Sequence, residues 1–256
     1  MSDSPQFIVN STEGPGYGTI STVYGLLFKE IGLPSKLELV PLNRQNRILE
    51  QTEYAACSLY RFKNDERAQK YEFSEMVYFL LHYKLYQQAA MAPLSKGIVD
   101  ENGAIESLST VFTANSDATL LVMPSYSYGS LIDRQLAKLP SEVKIEWTGA
   151  NPHNRLSSMF FNHRADYALM FPAEVAEYVK NNPDAVYRRY EIANVDSVTR
   201  GHMMCNKHPD SSAYIKKVNQ ALPKLYQHPD YQNAHTNYYD KSEHETILKF
   251  IAGLKP

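Results

Sequence analysis

One pattern constrains this chain more than any other, and it occurs twice. Over about Gln6–Leu59, and again over about Ala118–Met170, short apolar runs alternate with helix-length segments in the order β-α-β-α-β. In the first unit the runs are Phe7–Val9, Lys36–Val40 and Tyr54–Leu59. Helices are expected over Ile20–Ile31, ended by Gly32 and Pro34, and from Asn43 as cap to about Gln51. In the second unit the strands are Ala118–Met123, Val143–Trp147 and Asp166–Met170, with helices over Ser125–Leu139 and Asn154–Asn162 and a further one opening at Pro172. Such alternation favours parallel sheets joined by right-handed crossovers. Between the units lie a polar loop, Arg61–Lys70, and a β-rich run, Val77–Tyr86. After them come a strand, Arg200–Cys205, and helices over Ser211–Gln227 and Ser242–Gly253. If Val77–Tyr86 carries the chain out of the first unit, Arg200–Cys205 can carry it back, which makes an α/β protein of two lobes.

Composition removes several function classes. Of 256 residues, 43% are hydrophobic and 21% charged, which suits globular folding. The formal net charge of −2 lacks the basic excess of a nucleic-acid binder. No apolar run approaches the roughly 20 residues that span a bilayer, so the chain is not membrane-embedded. Cys57 and Cys205 stand alone, so a metal cluster is out, while one disulfide or two free thiols both remain open. The histidines show no H-E-x-x-H spacing. Gly14-Pro15-Gly16-Tyr17-Gly18 completes neither a dinucleotide fingerprint nor a Walker loop, and no G-x-S-x-G elbow is present. No cofactor and no metal are therefore expected. The opening Met-Ser-Asp-Ser-Pro shows no basic and apolar leader, which fits either a cytoplasmic chain or a trimmed exported one.

Ligands of open parallel sheets sit beyond the carboxyl ends of the strands. That rule selects the loops Ser11–Gly18, Pro41–Arg47, Ser58–Arg67, Pro124–Gly129, Trp147–Asn154 and Phe171–Glu174. Their candidate binding residues are Glu13, Tyr17, Arg44, Ser58, Tyr60, Arg67, Ser125, Tyr126, Ser127, Tyr128 and Phe171. A guanidinium fork suits a carboxylate or phosphate, and aromatic rings cover the remainder of a ligand. Ser125 or Ser127 would stand at a helix N-terminus, where free N–H groups favour an anion.

The stretch Cys57-Ser58-Leu59 followed by Asp65-Glu66-Arg67-Ala68-Gln69-Lys70-Tyr71-Glu72-Phe73-Ser74 resembles the periplasmic solute-binding proteins of the type 2 fold, closest to the family 3, amino-acid-binding-like branch. Pro124–Gly129 is similar to that branch's second-lobe helix start, and Asn162–Ala168 to its segment before a strand. Pro41–Arg44 and Asp166-Tyr167 resemble an exported subgroup without an assigned ligand.

The resemblance implies lobe 1 over 1–84 and 203–256, lobe 2 over 85–202, two crossover strands and hinge closure on a small solute. It implies a periplasmic location, a monomer, and an ABC permease or a membrane sensor as partner. Arg67 would clamp a ligand carboxylate with Arg44 assisting, and Ser125–Ser127 would supply second-lobe anion contacts. The expected function is capture of a small anionic or zwitterionic organic solute, without enzymatic activity. The alternative is a lyase or dehydratase on the same scaffold, with Glu13 as acid or base. One departure stands out: where the branch commonly carries an acid for an α-ammonium, this chain has Phe171-Pro172.

Overall fold

The computed structural model describes residues 1–2, 18–32, 38–123, 127–147 and 152–254. In chain order the elements are α1 (Thr19–Ile31), α2 (Leu42–Leu49), β1 (Cys57–Arg61), α3 (Asp65–Lys70), β2 (Glu72–Phe73), β3 (Tyr78–Leu81), β4 (Lys84–Gln88), β5 (Ala104–Ile105), α4 (Leu108–Ala114) and β6 (Leu120–Val122). They continue as α5 (Ser130–Leu136), β7 (Lys144–Glu146), α6 (Pro152–Phe161), β8 (Tyr167–Met170), α7 (Pro172–Asn181), β9 (Tyr187–Ile192), β10 (Val198–Cys205), α8 (Pro209–Tyr226), α9 (Pro229–Thr236) and α10 (His244–Ala252). The chain divides into two compact units, Met1–Leu80 with Val198–Pro256, and Leu81–Ser197. It passes between them at Leu80–Leu81, inside the run Val77–Tyr86, and at Ser197–Val198, just ahead of Arg200–Cys205.

In the first unit, α1 buries Val23, Tyr24, Leu27, Phe28 and Ile31, the spacing of one helical face. Gly18 and Gly32 flank it with φ of 94° and 84°, backbone that only glycine adopts without strain. Two expectations shift here. α2 starts directly after Pro41 rather than at an Asn43 cap, because Pro41 already sets extended backbone (ψ 144°) before the first turn. The expected loop Arg61–Lys70 contains α3. The Asn64 side chain accepts from the Arg67 N–H at 2.8 Å, and Asp65 and Glu66 sit favourably in the first turn. The expected strand Phe7–Val9 lies outside the described residues.

The first unit's sheet runs β1-β10-β2, with β3 also on β10. β1 and β2 are antiparallel to β10, against the expected parallel order. The parallel component among the described residues is the bridge of Ser2 to Leu39. The returning strand β10 enters the sheet's middle, so the third run of the opening unit pairs with a strand more than a hundred residues away. The third strand also starts later than expected. Asn206 is fully buried and its amide donates to the carbonyls of Gln51 and Tyr54, holding 51–56 as a loop instead.

The second unit's sheet runs β5-β9-β4-β8-β6-β7. Its three expected strands are parallel neighbours, β6 lying between β8 and β7. The apolar pattern marks neither β4 as a strand separate from β3 nor β9 as a strand at all. β4 is antiparallel to both β8 and β9, which makes the sheet mixed. Tyr86, Leu121, Met123, Leu156, Phe160, Met170 and Val175 form one buried cluster between this sheet and the helices α6 and α7.

Candidate ligand-binding site

Each unit is built from its own residues. In the first, Arg67 lies half-buried in α3. Its Nη1 donates to the Phe62 carbonyl at 3.0 Å. The neighbouring Glu66 is taken by Lys70, 2.9 Å away across one helical turn, and the Lys70 contact holds its carboxyl below the usual range. Among the described residues no carboxylate closes on the Arg67 guanidinium. The side chain is therefore anchored at one nitrogen, with the rest of its fork open to a planar anion.

Ser58 is fully buried and faces inward. Its hydroxyl donates to Gln45 Oε1 and accepts from Arg61 Nε at 2.6 Å. Arg61 Nη2 also donates to Gln45 Oε1 at 3.0 Å, and the Gln45 amide donates to the Val40 carbonyl at 2.6 Å. This network knits α2 to β1 and fixes the end of the strand. Arg44 and Arg47 flank Gln45 on the exposed side of α2. Arg61, one of the guanidinium groups on the expected ligand loop Ser58–Arg67, is buried at 4% exposure and tied into this network instead.

Tyr60 is the unusual residue. Its φ is 62°, a left-handed conformation that costs a non-glycine about 1–2 kcal/mol. It sits where β1 shifts register against β10, between Ser58 and Arg61. Its half-buried ring stands edge-on to Tyr24 at 5.7 Å and to Tyr78 at 6.4 Å. Burial and the neighbouring phenols push the Tyr24 hydroxyl well above its ordinary pKa, so the group stays neutral. Strained backbone of this kind persists only where its surroundings over-determine it, and it collects at ligand clamps.

In the second unit, Tyr128 and Phe171 are brought together. Both pack on Tyr83, with ring centroids 4.6 Å and 3.8 Å away, and both are nearly fully buried. The Tyr128 hydroxyl accepts from the Met123 N–H at 2.8 Å. Ser127 is exposed and donates to Asp133 Oδ2 at 2.6 Å. Asp133 Oδ1 accepts from the Tyr128 N–H. The helix expected from Ser125 starts at Ser130, behind Gly129 with φ 92°, so Ser127 stands ahead of the helix rather than at its first turn. The Asp133 carboxylate thus takes both the Ser127 hydroxyl and the Tyr128 N–H. Asp166 is structural: its Oδ2 accepts from the Thr119 N–H and hydroxyl, both at 2.8 Å. Glu13, Tyr17, Ser125 and Tyr126 lie outside the described residues.

No group of metal-ligating side chains occurs among the described residues, and no described helix is long and apolar enough to cross a membrane. No family model matches the sequence, and no curated protein matches it. Solved structures do. An ancestral arginine-binding protein bound to glutamine superposes with a TM-score of 0.61 at 14% identity, covering 87% of each chain. The arginine-, lysine-, histidine-binding protein of the thermophilic bacterium Geobacillus stearothermophilus gives 0.59 at 17% identity over 90% of each chain. A Salmonella typhimurium periplasmic binding protein of high arginine specificity gives 0.57 at 16% identity, covering 87% of this chain and 89% of that one. These neighbours are binding proteins, not enzymes. At such identities the likeness speaks for the fold: this chain has the two-lobed α/β fold of the type 2 periplasmic solute-binding proteins.

Proposed function

We propose that the protein is an extracytoplasmic solute-binding protein that captures a small organic anion or zwitterion. The observation that carries this is Arg67, a half-buried guanidinium tethered by one main-chain carbonyl and lacking a carboxylate partner among the described residues. On the strand that precedes α3, Ser58 and Arg61, joined by Gln45, stiffen the strand end, and Tyr60 would offer an aromatic ring. Arg44, Glu13 and Tyr17 would complete the first lobe's contribution. Ser125, Tyr126 and Ser127 would give the second lobe polar contacts, with Tyr128 and Phe171 as the apolar floor behind them.

The lobes would be 1–84 with 203–256, and 85–202, working in the periplasm with an ABC permease or a membrane sensor as partner. The relatives in fold support the reading by what their names say they bind, arginine and glutamine among them. Phe171, buried on Tyr83, supplies no acid for an α-ammonium, which supports a solute recognised chiefly through its carboxylate.

The test is a thermal-shift panel of amino acids, organic acids, polyamines and nucleosides, followed by calorimetry on any hit. Saturation at 100 times Kd should add about 2.7 kcal/mol of stability. Arg67→Ala should weaken a carboxylate-bearing hit at least tenfold, about 1.4 kcal/mol. Unchanged affinity would remove the clamp. A bound solute should also shrink the radius of gyration in solution scattering, and an unchanged radius would count against closure.

A further inference from the structure

β3 pairs with β10, and the Phe79 N–H donates to a side chain instead, His235 Nε2 of α9, at 3.3 Å. Because the amide can only donate, Nε2 must carry the lone pair. The ring proton then sits on Nδ1, which lies 2.8 Å from the Tyr231 carbonyl and donates to it. Both nitrogens are committed to one neutral tautomer. The ring itself is fully buried. It stacks on Phe79 at 4.1 Å and 12°, and meets Tyr231 at 4.3 Å.

We propose that His235 is an acid-operated latch: the neutral ring fastens α9 to β3, the strand that leads out of the first unit, and protonation releases it. A proton on Nε2 would turn an acceptor into a donor facing the Phe79 N–H. It would also place a cation between Phe79 and Tyr231, with no ion pair among the described residues to receive it. The packed elements carry charges, the buried Glu243 ahead of α10 and the exposed Glu245 and Lys249 on it among them, but burial and the Tyr231 carbonyl are what act on the ring. From β3 the ring meets Phe79. On α9 itself, Tyr231 contributes a neutral phenol, and the exposed His228 and Asp230 of the first turn face each other at 3.6 Å. α10 contributes Phe250, 4.5 Å from Phe79, with Arg200 of β10 lying 5.5 Å from the centre of that ring. α8 contributes Tyr226, whose ring packs on Tyr231 and whose hydroxyl donates to the Met76 carbonyl. On α1, which packs on α9, Lys29 and Glu30 are exposed.

Burial lowers the His235 pKa from 6.5 to about 4, and the Tyr231 carbonyl opposes this only in part. The released state binds the proton more tightly than the latched one. The latch is therefore whole above pH 6.5 and weakens as the pH falls toward 4. It lies within one unit and operates whether or not the protein binds a solute.

The test is hydrogen exchange with ring NMR on the full chain between pH 7.5 and 4. In the wild type, the Phe79 amide should lose about 100-fold in protection factor across the window, together with the α9 amides. The His235 ring should report the Nδ1–H tautomer until the lower end. In His235→Gln, whose amide can accept from Phe79 and donate to Tyr231 at every pH, Phe79 protection should stay flat. Constant Phe79 protection in the wild type, or an equal loss in the glutamine variant, would overturn the proposal. If the variant does not fold, the wild-type ring decides alone: a titration near 6.5, or an Nε2–H tautomer, ends it.

Discussion

At the scale of single residues, Gly201 shows how a missing side chain places a present one. A Cβ built there would lie 2.0 Å from Tyr78 Cζ, so the ring lies flat across the strand at the one position that lets it. Tyr78, nearly fully buried, then meets Tyr60 edge-on at 6.4 Å and Tyr24 in a tilted contact at 6.1 Å. Gly201→Ala should cost about 1–3 kcal/mol, the usual penalty of overpacking, measured by urea denaturation. Adding Tyr78→Leu to that variant should return part of the loss. Strict additivity of the two substitutions would show that the ring and the glycine are not coupled. The left-handed Tyr60 beside them gave no sequence signal, because strand propensity favours tyrosine and register shifts are set by the partner strand.

At the scale of elements, β1 and β10 are joined covalently. Cys57 and Cys205 occupy paired positions, Cα atoms 4.0 Å apart, and form a disulfide across a sequence separation of 148. The sequence left this open, since spacing says nothing of which strands become neighbours. Closing so long a loop restricts the unfolded chain strongly. Reduction, or replacement of both cysteines by serine, should lower stability by about 2–5 kcal/mol. A urea midpoint unmoved by reductant would contradict this. Asn206 continues the tie: its Oδ1 accepts from the Ala56 N–H at 3.0 Å and from the Ser211 hydroxyl, so it joins β1's approach to the start of α8. Asn206→Ala would leave several buried groups unpaired, at about 1–3 kcal/mol each.

At the scale of the whole molecule, three histidines set the response to acid. Burial lowers the pKa of His82, His202 and His235 alike. Each binds its proton more tightly when the chain is unfolded. Their contribution to stability is complete above pH 6.5 and declines as the pH falls. His235 alone should remove about 1.4 kcal/mol per pH unit over the middle of its window, with smaller losses from the half-buried His82 and His202. Urea denaturation at pH 7 and pH 5 checks this, and a steady or rising stability at pH 5 would refute it. Glu66 adds little, because its carboxylate is fully exposed beside Lys70.

Local pattern was enough for the elements whose apolar spacing is regular. α1, β6, β7, β8 and the start of α7 were legible, as was the α/β plan of two units, because a buried face repeats with the period of its helix or strand. The ends of elements were less so. α5 begins at Ser130 and β1 at Cys57 because Gly129 and Asn206 decide where backbone donors and acceptors are met, and neither is a matter of hydrophobic period. β9, with two consecutive arginines, carries no strand signal of its own and is held by β4. Residue types named Arg67, Tyr60 and Ser58 as candidates. Only the tertiary structure separated the half-buried guanidinium with an open fork from the serine sealed into a network, and set Tyr128 and Phe171 as a buried pair on Tyr83. It alone joined β1 to β10, since long-range pairing is chosen by the whole chain's packing and leaves no mark on either segment.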